Sequence, residues 1–413
     1  MRKFRFLMAL ALTAGAATAM AQTTRTVGTG GDFATVQAAV DASVAGDIVE
    51  VIDNTAPIVG NVAINKQITL RGAASLDPRP TLQGTNASYS GVAGQLITFE
   101  GGAASTVIEN LILDGSATSI AVTSWPGSGD ANVLPTLNNV RLLGPTNNAG
   151  ENGATHSQTL NMWNGFTVND CEIIGGFDQV VIEGGARPVL YQLNDCVLSK
   201  ARNYAVVPRS GQAITLELNG CIISGSAQRT ISMENPSGTL NISHCILRPD
   251  PDTGVGSGDG LIITQAGPMT INIDHTDFIG NPATTHNAVV LLVPMTAFSV
   301  TDCIFTNFNR YWWISNGASG DAALLAGFED SNVYVGLAND VANCDATTPA
   351  NVYPVGADSI NLAADAPVYV NAAAGDYRLL QASAANWPGI GYAGSQGVSD
   401  VWVPVELSDF VLE

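Results

Sequence analysis

The chain has 413 residues, with 16 Lys and Arg against 36 Asp and Glu, for a formal charge of −20. That balance argues against nucleic acid or an anionic membrane as a partner, since both repel an acidic protein. Only 13% of residues are charged while 43 are Gly, so Gly, Asn, Thr and Ser carry much of the polarity, as on a turn-rich all-β surface.

The N-terminus reads as a secretory signal peptide over residues 1–21. Arg2, Lys3 and Arg5 form its basic start, Phe6 to Ala17 its apolar core, and Ala19-Met20-Ala21 a small-x-small cleavage site. The apolar run is too short for a membrane span. A mature chain is expected that is secreted or at the cell surface, with no membrane span. Its length exceeds a usual single domain, which a solenoid tolerates because each repeat contacts only its neighbours.

Residues 22–72 read as an N-terminal cap with the first strands. Thr35 to Ala45 is predicted as a short amphipathic helix with Val36, Ala39 and Val40 on one face. Thr35 suits its N-cap and Gly46 its stop. Such a helix would cover the open end of a solenoid and its strand edges. Ile48 to Ile52, Val62 to Ile64 and Ile68 to Leu70 are predicted strands.

Residues 73–335 repeat. Cys171, Cys196, Cys221, Cys245 and Cys303 each follow a short apolar-polar segment, such as Val168-Asn169-Asp170 or Leu193-Asn194-Asp195, and each precedes apolar residues. Leu111, Val140, Thr276 and Ser331 fit the same frame, with successive spacings of 29, 31, 25, 25, 24, 31, 27 and 28 residues. Spacings in that range signal a solenoid, and short β-branched segments bounded by Gly, Asn, Asp and Pro make each repeat strands and turns. Stacked side chains point the same way, which suits a disulfide poorly. Cys171, Cys196, Cys221 and Cys245 are therefore expected as a buried ladder of small apolar thiols. Cys344 lies outside the frame, with Cys303 as its possible partner.

The segment Gly31 to Ala42 (GDFATVQAAVDA), followed by Val62 to Gly72 (VAINKQITLRG), resembles the N-terminal cap and first turns of the pectin-lyase-like superfamily. Asn169, Asn194 and Asn219 at one turn position resemble its asparagine ladders. The resemblance implies an all-β, single-stranded right-handed parallel β-helix, with an N-terminal helical cap and a C-terminal cap. Residues 336–400 are expected to form that second cap, and Asp376-Tyr377-Arg378-Leu379 with the Gly-rich stretch 389–397 resembles its closing segment. Residues 401–413 form a tail that resembles the linker before a sorting domain.

The superfamily includes enzymes that act on uronic-acid polysaccharides by β-elimination or de-esterification. Asp277-Phe278-Ile279-Gly280 resembles part of an esterase motif, but it aligns with Glu172-Ile173-Ile174-Gly175 and belongs to the repeat. The partner motifs of an esterase are missing. Elimination needs a base, often Arg or Lys, beside an acidified proton, and the cations cluster. Arg187, Lys200, Arg202, Arg209 and Arg229 lie close together in sequence. The cysteine frame puts Asp178, Asn203 and Gln228 in one column and Gly184, Arg209 and Glu234 in a second, with Glu183 adjacent. Lys200, Arg202, Arg209 and Arg229 are the catalytic candidates, and Asp178, Glu183 and Glu234 would bind substrate beside them. The plain alternative is a solvated ladder of ion pairs.

Trp163, Trp312 and Trp313 are further substrate-binding candidates, because an exposed aromatic face can stack on a sugar ring. Trp125 sits in a similar segment. The acidic, Gly-rich Asp250 to Asp259 is like a calcium loop but departs from the EF-hand spacing, so a turn insertion is preferred, no cofactor is expected, and calcium stays only an option. The histidines, including His244 and His275, show no metal-ligand spacing. The leading reading is a secreted or surface-exposed protein that binds extracellular polysaccharide or matrix. The alternative is a polysaccharide lyase or glycoside hydrolase acting on an acidic glycan.

Overall fold

The computed structural model describes residues 22–86, 88–89, 92–124, 133–146, 157–184, 189–209, 213–225, 229–234, 237–249, 260–264, 268–280, 287–293, 295–308 and 310–314, and beyond these the segments 332–335, 341–342, 353–354, 360–362, 369–371 and 376–379. Three all-parallel sheets of 11, 12 and 10 strands, here faces A, B and C, account for nearly all of them. The chain visits the faces in turn. Phe166–Asn169 lies on A, Glu172–Ile174 on B and Asp178–Ile182 on C, and the next rung repeats the order with Val189–Asn194, Val197–Ser199 and Tyr204–Pro208. This is a parallel β-helix.

Each face places an aliphatic column inside. Val168, Leu193, Leu218 and Ile242 stack on A, Ile173, Leu198, Ile223 and Leu247 on B, and Leu160, Val180, Val206 and Ile231 on C, all fully or almost fully buried. β-Branched and Leu side chains fit a pleated surface that is packed on its inner side. Farther along, Phe278 and Phe305 stack at 4.5 Å in the same B column.

The corner from A to B is the repeat's signature. A polar residue at the end of each A strand bonds its counterpart on the previous rung: Asn169 Nδ2 to Asn138 Oδ1 at 2.8 Å, Asn194 to Asn169 at 2.8 Å, and Asn219 to Asn194 at 2.9 Å. Ser243 closes the ladder by donating to Asn219 Oδ1. The following residue takes a left-handed backbone, with φ of 50° at Asn139, 52° at Asp170, 53° at Asp195 and 66° at Gly220. Asn, Asp and Gly tolerate that region best. At 220 a Cβ would meet Asp195 Oδ1 at 2.2 Å, so a larger residue there would have to displace that side chain.

The frame residue that comes next points inward. Its five cysteines are buried free thiols, and Cys303 in particular is free rather than paired with Cys344, which lies outside the described residues. The ladder is more polar than its composition implies. Cys196 Sγ lies 3.2 Å from Asn194 O and 3.4 Å from Val168 O, within donating distance of both carbonyls. It also has an accepting role: the Val140 and Cys221 amides donate to Cys171 Sγ and Cys245 Sγ. Thr276 Oγ1 accepts from Cys245 N, and Asn332 Oδ1 accepts from Cys303 N at 3.0 Å. The frame therefore continues through Asn332, one residue beyond Ser331; it holds the aliphatic Leu111 and Val140 in the early rungs and hydrogen-bonding side chains from Cys171 onward.

The cap helix spans Val36–Ala42, with Thr35 Oγ1 accepting from Ala38 N and with Val36, Ala39 and Val40 buried. It stops at Ser43 rather than Ala45. Ser43 Oγ donates to Ala39 O, Lys66 Nζ donates to the Asp41 and Ser43 carbonyls, and Asp47 accepts from Val44 N, so the orphan groups of the last turn are satisfied early. Asp376–Leu379 pairs antiparallel with Tyr369–Asn371. The leader, Arg187, Gln228, Trp125, the 250–259 loop, the 389–397 stretch and the tail lie outside the described residues. No helix among the described residues is long and apolar enough to cross a membrane.

Candidate functional site

Face C carries the site because its strands share an irregularity. The Cα register skips the second residue of each strand: Gln158 pairs with Asp178 and Leu160 with Val180, while Thr159 and Gln179 are passed over. The second residues turn inward. Ala121 and Ala205 join the core, Thr159 Oγ1 donates to Gly175 O, and the Gln179 amide donates to the Ile173 and Ser199 carbonyls. The first and fourth residues consequently share the outer side and bond each other. Thr98 donates to Gln95 at 2.8 Å, Asn161 donates to Gln158, and Arg229 donates to Ser232 at 3.1 Å. These outward residues are nonetheless buried: Gln158, Asn161 and Asn203 are each 6% exposed, and Asp178 and Ser232 are 0% exposed.

The predicted columns were displaced by one residue. Asp178 is in register with Tyr204 and then Arg229, not with Asn203 and Gln228. Its cause is the B-to-C turn. From Ile174 to Asp178 the chain crosses Gly175, Gly176 and Phe177, whereas from Ser199 to Tyr204 it crosses the longer Lys200-Ala201-Arg202-Asn203. Lys200 at φ 62° matches Gly175 at 76°, and the Arg202 and Asn203 amides donate to the Gly176 and Phe177 carbonyls, so the extra residue falls at Ala201. Beyond the C strands, Trp163, Glu183, Arg209 and Glu234 follow in-register residues and are themselves one column.

A single network joins Asp178, Arg209, Glu234 and Arg229. Arg209 Nη2 lies 2.6 Å from Asp178 Oδ2, and Arg209 Nε lies 3.5 Å from Glu234 Oε2. Asn203 Nδ2 donates to the other Asp178 oxygen at 2.8 Å. Ser232 Oγ donates to Glu234, and Asn161 Nδ2 reaches Glu183 at 3.5 Å. The Arg229 guanidinium stands 5.7 Å from the centre of the Tyr204 ring, a cation–π contact. Arg202 Nη2 donates to Ser157 Oγ at 3.2 Å, at the edge of this group. Lys200 stays in the preceding turn. Trp163 is half-buried, its amide bonded to Ser124 Oγ and its carbonyl to Tyr191. Trp312 and Trp313 lie on the last C strand, Arg310–Ile314, in register with Val289 and Val290. That strand is six rungs from Trp163, roughly 29 Å at the spacing of adjacent strands, so these two are not brought to the cluster.

Electrostatics fix the charge states. Burial disfavours the Arg209 cation, but Asp178, Glu234 and Glu183 around it outweigh burial and push its pKa further up. Burial also raises the Tyr204 phenol, helped by Glu234 and opposed by Arg229. Neither side chain is prepared to take up a proton as a base near neutral pH. Among the described residues no group of three or more His, Cys, Asp or Glu is placed to hold a metal ion. His244 and His275 stack with ring centroids 5.0 Å apart in the A-to-B corner column, and His275 Nδ1 contacts Asp274.

Gln95, Gln158, Asn161 and Ser232 were not among the candidates. Their signal was a polar residue three places from another in an otherwise apolar strand: Gln95 and Thr98, Gln158 and Asn161, Arg229 and Ser232. Plain strand alternation puts such a pair on opposite sides. Fold and network together define a parallel β-helix protein with a buried, charged outer face. No family model matches the chain, and no curated protein matches it.

Proposed function

We propose that this is a secreted or surface-exposed member of the pectin-lyase-like superfamily that binds extracellular polysaccharide on the outer side of face C, around Arg209, Asp178, Glu183, Glu234, Arg229 and Tyr204. The observation that carries this reading is the Arg209–Asp178 pair at 2.6 Å, with Asp178 fully buried on the outward side of a sheet. A charge placed there is costly unless a surrounding structure holds it. Planar guanidinium, carboxylate and amide groups fixed side by side are a surface for sugar hydroxyls and carboxylates, and the half-buried Trp163 offers an apolar edge beside them. Binding is favoured over elimination at Arg209, whose guanidinium is engaged by Asp178 and Glu234 and held as a cation between them. Export is supported by the pattern of residues 1–21.

The test is a panel of acidic and neutral polysaccharides, with and without calcium, followed for binding and for the ultraviolet absorbance of unsaturated sugar products. Saturable binding without absorbance is expected, weakened by Arg229→Ala and Arg209→Ala. Affinity untouched by both substitutions places the site elsewhere, and rising absorbance makes the protein a lyase.

A further inference from the structure

The charged network occupies only part of the outer side of face C. Toward the N-terminal rungs the same positions become neutral: Gln95, Thr98 and Thr123, then Gln158 and Asn161, all at least nine-tenths buried. Two of these amides are incompletely used. Asn161 Nδ2 faces Gln158 Oε1 and the Glu183 carboxylate, and since a carboxylate only accepts, the amide orientation is set. Asn161 Oδ1 is left buried with no hydrogen-bond partner. Gln95 bonds Thr98 through Oε1 and leaves Nε2 buried without one. A hydroxyl can give or take, so turning the Gln95 amide over would only exchange which end is idle.

Buried polar groups in folded proteins almost always find partners, and an unpartnered one calls for an explanation. These two lie two rungs apart on one exterior face, roughly 10 Å across the strands at the spacing of adjacent strands, and Asn161 is in register with Thr98, three residues along from Gln95. One lacks a donor and the other an acceptor. Alternating donors and acceptors at that separation, with no charge, are what the hydroxyls of neighbouring uncharged sugar rings present.

We infer that Gln95, Thr98, Gln158 and Asn161 form a subsite for uncharged sugar units, with Asn161 Oδ1 accepting from one hydroxyl and Gln95 Nε2 donating to another. This rests on the polysaccharide reading of face C and specifies it: the ligand includes neutral rings beside whatever the Arg209 network holds. Asn161 touches both groups of residues, so the neutral subsite is continuous with the charged one.

The experiment measures the affinity of short neutral oligosaccharides (glucan, xylan, mannan and galactan fragments) and of acidic polymers by calorimetry. It compares the full protein with Asn161→Leu, Gln95→Met and Arg229→Ala. One neutral series is expected to bind, with Asn161→Leu and Gln95→Met each weakening it about tenfold, the loss of one good hydrogen bond. Arg229→Ala is expected to weaken the acidic polymers more than it weakens the neutral series. Melting curves accompany the titrations, and Gln95→Met carries the test if Asn161→Leu does not fold. If acidic polymers bind through Arg229 while the neutral series does not, or binds both amide variants as well as the parent, the subsite is refuted and the face-C reading stands. If nothing in either class binds, both fall.

Discussion

Arg209 reaches back across one rung to Asp178, with Nη2 and Oδ2 2.6 Å apart, and the carboxylate beneath it is wholly buried. Because Asp178 opens its strand and Arg209 follows the end of the next, the contact spans nearly the full width of face C. It ties the local geometry of the site to the stacking of the solenoid.

Removing Arg209 leaves Asp178 buried, with Asn203 still donating to it. Breaking a buried pair from one side costs about 3–5 kcal/mol, and the guanidinium here is partly exposed, so about 3 kcal/mol is expected for Arg209→Met. Adding Asp178→Asn should recover most of it, because the uncompensated charge is gone. Urea unfolding of the two single variants and the double variant checks this, and equal losses that simply add would show the pair to be uncoupled.

The frame position makes a second prediction. Cys245 Sγ accepts from the Cys221 amide at 3.4 Å and lies 3.2 Å from Ser243 O. If those bonds matter, Cys245→Ser keeps them and Cys245→Ala strands a buried N–H at a cost of about 1–3 kcal/mol. Ser is then the milder change. The order reverses if the position is simply apolar. Burial raises the Cys196, Cys221 and Cys303 thiols, and hydrogen bonding to Cys196 with burial raises Cys171, so a thiol reagent should reach them only after unfolding.

At the opposite end, Asp47 anchors the cap. It accepts from the Thr23 and Val44 amides and from Arg25 Nε. Burial opposes the charge, but those donors prevail and hold the carboxyl below its usual range. A depressed folded pKa means the contribution is complete above the unfolded value, about pH 4. It is lost as pH falls through the lower folded value. Protection of the helix amides, taken relative to the intrinsic exchange rate at each pH, should therefore fall below about pH 4 in the parent protein. In Asp47→Asn that protection should be lower at pH 7 and nearly independent of pH.

Much of this was legible in the chain. The spacing from Cys171 to Cys245 reports the rung length, Asn169, Asn194 and Asn219 mark the corner, and Thr35 with Val36, Ala39 and Val40 gives the cap helix. The columns across face C were not, because the cysteine frame is anchored at the A-to-B corner and the error arises one turn later, where the Lys200-to-Asn203 turn is one residue longer than Gly175 to Phe177. Nor was the outward role of Asn161, since the inward second residue on each C strand breaks the period of two on which the sequence reading depends. The frame falls on Asn332 rather than Ser331 because Val333 is in register with Ile304, which places residue 332 opposite Cys303.

The central claim is that polysaccharide lies along face C. Hydrogen exchange of the full protein, with and without the best-binding polysaccharide of the panel, tests it most directly. Protection is predicted in Gln158–Met162, Asp178–Ile182, Tyr204–Pro208 and Arg229–Met233, with the face A strands of the same rungs unchanged. Protection confined to face A or B, with the four face C strands unaffected, would contradict the account.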